Sequence, residues 1–260
     1  MTLKLELLRY YIHLVIVSDL RSLFYCWGGM LKKLFISEYS KSYLGTFESV
    51  IRLSPRLDTG EYLDCGCDDG KLTKKVASKV MPSSSYGIEI SNVAVKKAKK
   101  LGIKASVGDL NNPLPFKDGI FSLVTANQVI EHLKDTDRFV DEVYRVLKPG
   151  GYFVISTNNL SSWHNIFALF LGFQPFPSDV SNTTGIGKMF KLFDGDGGSW
   201  SHLRIFTMKA LVEFLKFHKF EVSQVDNIGY YPLPYSLGKL CTKIDPLHSA
   251  YTTVLAKKPF

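Results

Sequence analysis

The run Asp64-Cys65-Gly66-Cys67-Asp68-Asp69-Gly70 puts glycines and carboxylates together directly after the apolar stretch 61–65. Glycines between a strand and a helix let the backbone come close to a ligand and turn its N–H groups towards it. Many nucleotide sites use such a turn, but Asp68 and Asp69 would repel a pyrophosphate. They suit a ligand that is cationic at this point, and Asp64 is the acid placed to hold an amino group. Later apolar runs end in similar groups: Glu89 with Ile90, Asp109 with Leu110, and Asn127 shortly before Glu131 and His132. An acid at the end of a second strand takes the two hydroxyls of a ribose. Asp109 suits an exocyclic amino group on a base, with Leu110 against the ring. His132 and His202 are the candidates for moving a proton, since imidazole titrates near neutrality. Each also reads as a loop anchor.

These residues need strands that end at one edge. Short apolar runs at Glu61–Cys65, Ser85–Ile90, Ile103–Val107, Ile120–Thr125 and Tyr152–Ser156 read as strands. The amphipathic stretches Lys71–Val80, Asn92–Leu101 (capped by Ser91) and Thr136–Leu147 read as helices between them. The alternation argues for an α/β fold: a Rossmann-like, mostly parallel sheet with helices on both faces. Ligands of such sheets bind beyond the carboxyl ends of the strands, where the stations at 64–70, 89–90, 109–110 and 127–132 fall. The pattern breaks over 158–205, too long for a plain connection and rich in aromatics, so an inserted cap or lid is expected there. A helix Met208–His218 capped by Thr207, then strands Phe220–Val225 and Tyr251–Ala256, complete the chain.

Six segments carry a family resemblance: Tyr-Leu-Asp-Cys-Gly-Cys-Asp-Asp-Gly, Gly-Ile-Glu-Ile-Ser, Gly-Asp-Leu, Pro-Leu-Pro-Phe-Lys-Asp-Gly, Val-Ile-Glu-His-Leu and Arg-Val-Leu-Lys-Pro-Gly-Gly. From about 62 to 157 the chain resembles the class I S-adenosylmethionine-dependent methyltransferases, the broad group that includes the ubiquinone-biosynthesis methyltransferases. The resemblance implies a seven-stranded sheet with an antiparallel last strand. It also implies S-adenosylmethionine as cofactor, held by Asp64, Gly66, Cys67, Gly70, Glu89, Ile90, Asp109, Leu110 and Asn127. The chain departs from the family at Asp68, where a glycine is usual and a side chain would narrow the approach. Ser122 stands for an acid and Asn158 for a common proline. The small-RNA 3′-terminal 2′-O-methyltransferases resemble the chain at Glu131-His132. Their pattern begins with another glutamate where Gln128 stands here, which removes a carboxylate from any site for a hard cation. No metal is expected, and a site on Glu131, His132 and His202 is the alternative.

The 260 residues divide on this reading into an N-terminal helical extension, 1–45, and a methyltransferase domain, 46–260. The formal charge of +8 is spread over lysine-rich helix faces with few aromatics among them, which disfavours nucleic acid as partner. The cysteines Cys26, Cys65, Cys67 and Cys241 have no zinc spacing, and a reduced, cytoplasmic setting is the simpler one. The apolar N-terminus is interrupted by charge too often to span a bilayer. It packs on the domain or lies on a membrane surface. The aromatic lid, with Tyr230, Tyr231 and Tyr235 continuing it, suits a small or lipid-linked acceptor methylated at oxygen. An RNA 2′-O-methyltransferase and a domain that binds the cofactor without transfer are the rivals.

Overall fold

The computed structural model describes residues 37–57, 59–181, 184–189 and 202–260. Most of the expected N-terminal extension and part of the expected lid lie outside these residues. The chain divides into two units, Met1–Ser37 and Glu38–Phe260, and the second holds the whole sheet.

Seven strands form this sheet in the order β3-β2-β1-β4-β5-β7-β6. They are β1 (Glu61–Cys65), β2 (Ser84–Glu89), β3 (Lys104–Val107), β4 (Phe121–Asn127), β5 (Leu147–Asn158), β6 (Glu221–Ile228) and β7 (Tyr251–Lys257). Only β7 runs against its neighbours, pairing antiparallel with both β5 and β6. This is the sheet the family resemblance implies. The order reverses between β1 and β4, so the loops after these two strands open a crevice at the carboxyl edge.

Helices cover both faces. On one face lie α1 (residues 37–53) and α2 (Lys71–Val80). Val50, Leu53, Val76 and Val80 pack there on Tyr62, Leu123, Val154 and Leu255. On the other lie α4 (Thr136–Val146) and α6 (Met208–Phe217), whose Phe139, Val140, Val143, Leu211 and Leu215 meet Leu63, Val124, Phe153 and Ile155. Alternate residues of β5 therefore feed opposite cores, as the two-residue period of a strand requires. α3 (Asn92–Lys100) closes the β2–β3 side through Val95 and Ala98.

The helix starts follow local chemistry. Ser91, Asp135 and Thr207 each accept a hydrogen bond from a backbone N–H in the first turn of α3, α4 and α6. Three elements differ from the sequence reading. α1 runs through position 45, so the boundary expected there falls inside a helix whose far end belongs to the core. α5 (Trp163–Phe170) forms within the stretch that reads as irregular, and α7 (Tyr235–Ile244) where the sequence reading places no element. Both lack the usual pattern because their large apolar residues face outwards.

The segment after β5 leaves and rejoins the sheet at one point, where Asn159 bridges Phe206 and Leu160 N–H donates to the Phe206 carbonyl at 2.8 Å. Asn159 is buried here. Its amide donates to the carbonyls of Leu247 and Ser249, and its Oδ1 accepts from Ser161 and from the Met208 N–H.

Candidate functional site

The turn after β1 is held from beneath. Asp64 is 2% exposed, and its two oxygens accept from Thr73 Oγ1 at 2.6 Å and Thr125 Oγ1 at 2.7 Å. Burial raises its pKa to about 6, against the lowering effect of the two threonines. The sequence reading has Asp64 holding an amino group; in the structure its carboxylate ties β1, α2 and β4 together under the turn. Gly66 and Gly70 take φ of 76° and 81°. A Cβ on Gly66 would lie 2.5 Å from Val129 Cγ2, and one on Gly70 would lie 2.9 Å from the Ala98 backbone. Both glycines are thus required by conformation and packing together. The N–H groups of Gly66 and Cys67 donate to the Ile88 carbonyl, stitching the turn to β2. The Cys67 side chain points inwards, and burial pushes its thiol up to about 12.

Asp68 takes the left-handed conformation of the glycine it replaces, with φ of 45°, which aspartate tolerates better than most residues. Its side chain is exposed and does not fill the turn. Its N–H donates to Glu89 Oε2 at 3.1 Å, while Glu89 Oε1 accepts from the Ser91 N–H at 2.9 Å. Asp69 is used locally, accepting from the Lys71 N–H and pairing with the Lys71 ammonium at 2.6 Å. Ile90 is 70% exposed next to Glu89, an uncovered apolar side chain at the mouth of the crevice. Asp109 is exposed and closes an Asx turn on Asn111, and Leu110 packs on the core below. Asn127 accepts from Ser156 Oγ at 2.6 Å. A cationic nucleoside fits this donor set: two carboxylates with no lysine or arginine partner among the described residues, and apolar side chains between them.

A second cluster stands after β4. Gln128 has φ of 55°, a strained value for a side chain of its size, and a 3-10 turn (Ile130–His132) follows. Glu131 is wholly buried there. Its carboxylate accepts from Thr157 Oγ1 at 3.0 Å and Asn158 Nδ2 at 3.3 Å, and burial raises its pKa to about 7. Asn158, the departure from a common proline, is therefore a partner of this acid. The Glu131 carbonyl accepts from the Leu203 N–H at 2.7 Å, and Arg204 donates to the carbonyls of Leu133 and Lys134. Arg204 thus anchors the loop. These bonds bring His202 over His132, with ring centroids 4.7 Å apart. His202 Nδ1 donates to the Pro177 carbonyl at 2.7 Å, so the lone pair of the neutral ring sits on Nε2. Burial lowers its pKa below the ordinary value, which favours that neutral form.

Glu131, His132 and His202 each offer a ligand atom, all within 4.8 Å of one another. These are the three residues of the alternative metal site in the sequence reading, and they are the one metal-like group found among the described residues. His164 is apart from it, packed between Phe176 and Tyr231 and lowered by burial to about 3, a structural residue.

One residue near both clusters escaped the sequence reading. Tyr43 on α1 has its pKa raised by burial first, then by the charges of Tyr39, Asp68 and Glu131. Its hydroxyl therefore lies within electrostatic reach of the cofactor turn and of the β4 cluster. No local motif marks it, since it arrives from a helix outside the βα series.

Residues 63–155 match the family model described as a methyltransferase domain. A probable S-adenosylmethionine-dependent methyltransferase of Mycolicibacterium smegmatis is 34% identical over 108 residues, 42% of this chain and 42% of that protein. The mitochondrial 2-methoxy-6-polyprenyl-1,4-benzoquinol methylase of Dictyostelium discoideum is 27% identical over 67% of this chain and 54% of its own length. The chain thus spans less than two thirds of these relatives. In fold it matches a solved S-adenosylmethionine-dependent methyltransferase of Thermotoga maritima, described as a possible histamine N-methyltransferase. That match has a TM-score of 0.55 and 18% identity, over 88% of this chain and 98% of that one. Residues 63–155 thus match a methyltransferase domain, and the sheet order is that of the solved S-adenosylmethionine-dependent methyltransferase it resembles in fold.

Proposed function

We propose that this chain transfers a methyl group from S-adenosylmethionine to a small or lipid-linked acceptor, at an oxygen atom. The sulfonium supplies the chemistry: the acceptor oxygen bonds to the methyl carbon as the carbon–sulfur bond breaks, leaving the thioether. In-line positioning carries most of such a reaction, and a base that takes the acceptor proton adds to it. On this reading Glu89 holds the ribose hydroxyls, Ile90 and Leu110 flank the adenine, and Asp109 takes its amino group. Gly66, Cys67 and Gly70 contribute backbone, with Asp64 anchoring the turn they form. Asn127 adds a side chain at the end of β4. His202 is the base: its Nδ1–H is used on the Pro177 carbonyl, which leaves the lone pair on Nε2, and its ring centroid lies 4.7 Å from that of His132. That tautomer is the observation which carries the assignment.

The acceptor class draws on the named relatives, one of which is a polyprenyl-benzoquinol methylase, and on the apolar residues of α5. No helix among the described residues is long and apolar enough to cross a membrane. Contact of the N-terminal segment with a membrane surface, in a cytoplasmic protein, remains part of the reading. The test is transfer of a labelled methyl group to catechol- and hydroquinone-type acceptors with and without polyprenyl tails. Label in none of them, with the cofactor bound, would sink the acceptor class.

A second reading rests on the three-ligand cluster. Glu131, His132 and His202 within 4.8 Å would hold a divalent cation against an acceptor oxygen, as a metal-assisted 2′-O-methyltransferase of RNA requires. Activity abolished by a chelator and restored by magnesium or manganese favours this arm; activity indifferent to chelation removes it.

A further inference from the structure

α5 is built inside out. Its sequence Trp-His-Asn-Ile-Phe-Ala-Leu-Phe has no charged residue, and it buries Asn165 and Ala168 while turning Trp163, Phe167 and Leu169 to solvent, with Phe170 83% exposed. α7 does the same, burying only Gly238, which lies against the backbone of Tyr230. Leu237, Leu240 and Ile244 form an exposed stripe at helical spacing, with Ile244 77% exposed. Lys239 and Lys243, one turn apart, are exposed along its flank. A soluble helix buries its large apolar residues. Two neighbouring helices that expose them mark a surface meant to be covered.

The two helices are fixed as one face. Trp163 Nε1 donates to Tyr230 OH and to Asp245 Oδ2, both at 2.8 Å, and Tyr230 OH donates to the same Asp245 oxygen. His248 Nδ1 lies 2.8 Å from Asp245 and its ring lies on Trp163. Asp245, which ends α7, is the acid at this junction, and its oxygens are occupied by these groups. Neither helix carries an acidic residue; Lys239 lies 3.8 Å from Glu48 of α1, and Lys243 has no carboxylate partner among the described residues, so the face is apolar with Lys243 as its unpaired cation. Both helices also lie at the carboxyl edge of the sheet: α5 follows β5, and α7 lies between the end of β6 and the start of β7, where Ile228 and Asn158 flank Tyr251. That is the edge of the crevice.

We infer that α5 and α7 form an interfacial docking surface for a bilayer of anionic phospholipid. Aromatic and aliphatic side chains on one surface, with lysines beside them, are the composition of helices that lie in the headgroup layer. The lysines add attraction to anionic headgroups, and that part is screened by salt. Docking so turns the crevice towards the lipid, from which an apolar acceptor enters. Lipid binding by this face does not depend on methyl transfer.

Flotation of the full chain with phosphatidylcholine vesicles, with and without phosphatidylglycerol, tests it. Binding is expected to strengthen with the anionic lipid and to weaken several-fold between low and high salt. The double variant Phe167→Ser/Phe170→Ser and the pair Leu240→Ser/Ile244→Ser should each lose at least about tenfold in vesicle affinity. Lys239→Glu/Lys243→Glu should remove the preference for anionic lipid. Circular dichroism melts confirm that each variant is folded, and the lysine pair, lying on the surface, serves if an apolar variant is not. Wild-type binding in all three variants overturns the proposal. So does binding that appears only after deletion of residues 1–36, which would make that segment the cover. Absence of vesicle binding with an α5/α7-dependent dimer in sedimentation would replace the lipid by a second copy.

Discussion

Asp64, at the end of β1, and Glu131, in the turn after β4, are two buried carboxylates, both raised by burial and both held by threonine hydroxyls. Asp64 is reached by Thr73 within its own βα unit and by Thr125 of β4, both inside the β1–β4 series. Glu131 is reached by Thr157 and Asn158 from the next strand and by Leu203 from beyond the insertion. The first half of the crevice is therefore closed within the β1–β4 series, and the second also draws on the segment beyond the insertion. On the proposed reading the first half holds the cofactor and the second faces the acceptor.

Disrupting the first half should cost the fold itself. Gly70→Val sets a branched side chain at positive φ and within 2.9 Å of the Ala98 backbone. Strain and overpacking together should remove about 3 kcal/mol, a fall of roughly 10 °C in melting temperature. Disrupting the second half should cost chemistry alone. His202→Ala should lower methyl transfer about 100-fold, the usual worth of a general base, with the melting temperature within a degree or two. A variant that binds cofactor and transfers at the normal rate would remove His202 from the mechanism.

The buried acids make a pH prediction. A carboxyl whose pKa is higher folded than unfolded favours folding while protonated. Its contribution is complete below the unfolded value and is lost as pH rises through the folded one. For Asp64 that window runs from 3.8 to about 6, worth at most about 3 kcal/mol. Wild type should lose denaturant stability between about pH 4 and 6, and Asp64→Asn should show a shallower loss there. Equal slopes would mean that Asp64 is not the group responsible. The smallest effect belongs to Tyr43→Phe, which should change the cofactor Kd and transfer rate by a few-fold, without changing stability.

The same contrast explains what is legible in the sequence. β1, β2, β4 and β5 are readable because apolar runs end in turn residues, and the sites at 64–70, 89 and 109 follow at those ends. The seven-stranded order with its antiparallel β7 comes with the resemblance, not from periodicity. α5 and α7 are hidden because helix recognition assumes that large apolar residues turn inwards, and theirs turn out. The pairing of His132 with His202 is open in sequence, since two residues so far apart meet only once Glu131 binds Leu203. Asp68 reads as an obstruction; in the structure a left-handed backbone carries it and its side chain leaves the turn.

Titration calorimetry with S-adenosylmethionine on wild type, Glu89→Ala and His202→Ala is the most direct test of the division into a cofactor half and an acceptor half. Loss of the paired hydrogen bonds from Glu89 should weaken binding at least about tenfold, while His202→Ala should bind as wild type does. Equal affinity in Glu89→Ala, or a comparable loss in His202→Ala, would contradict it.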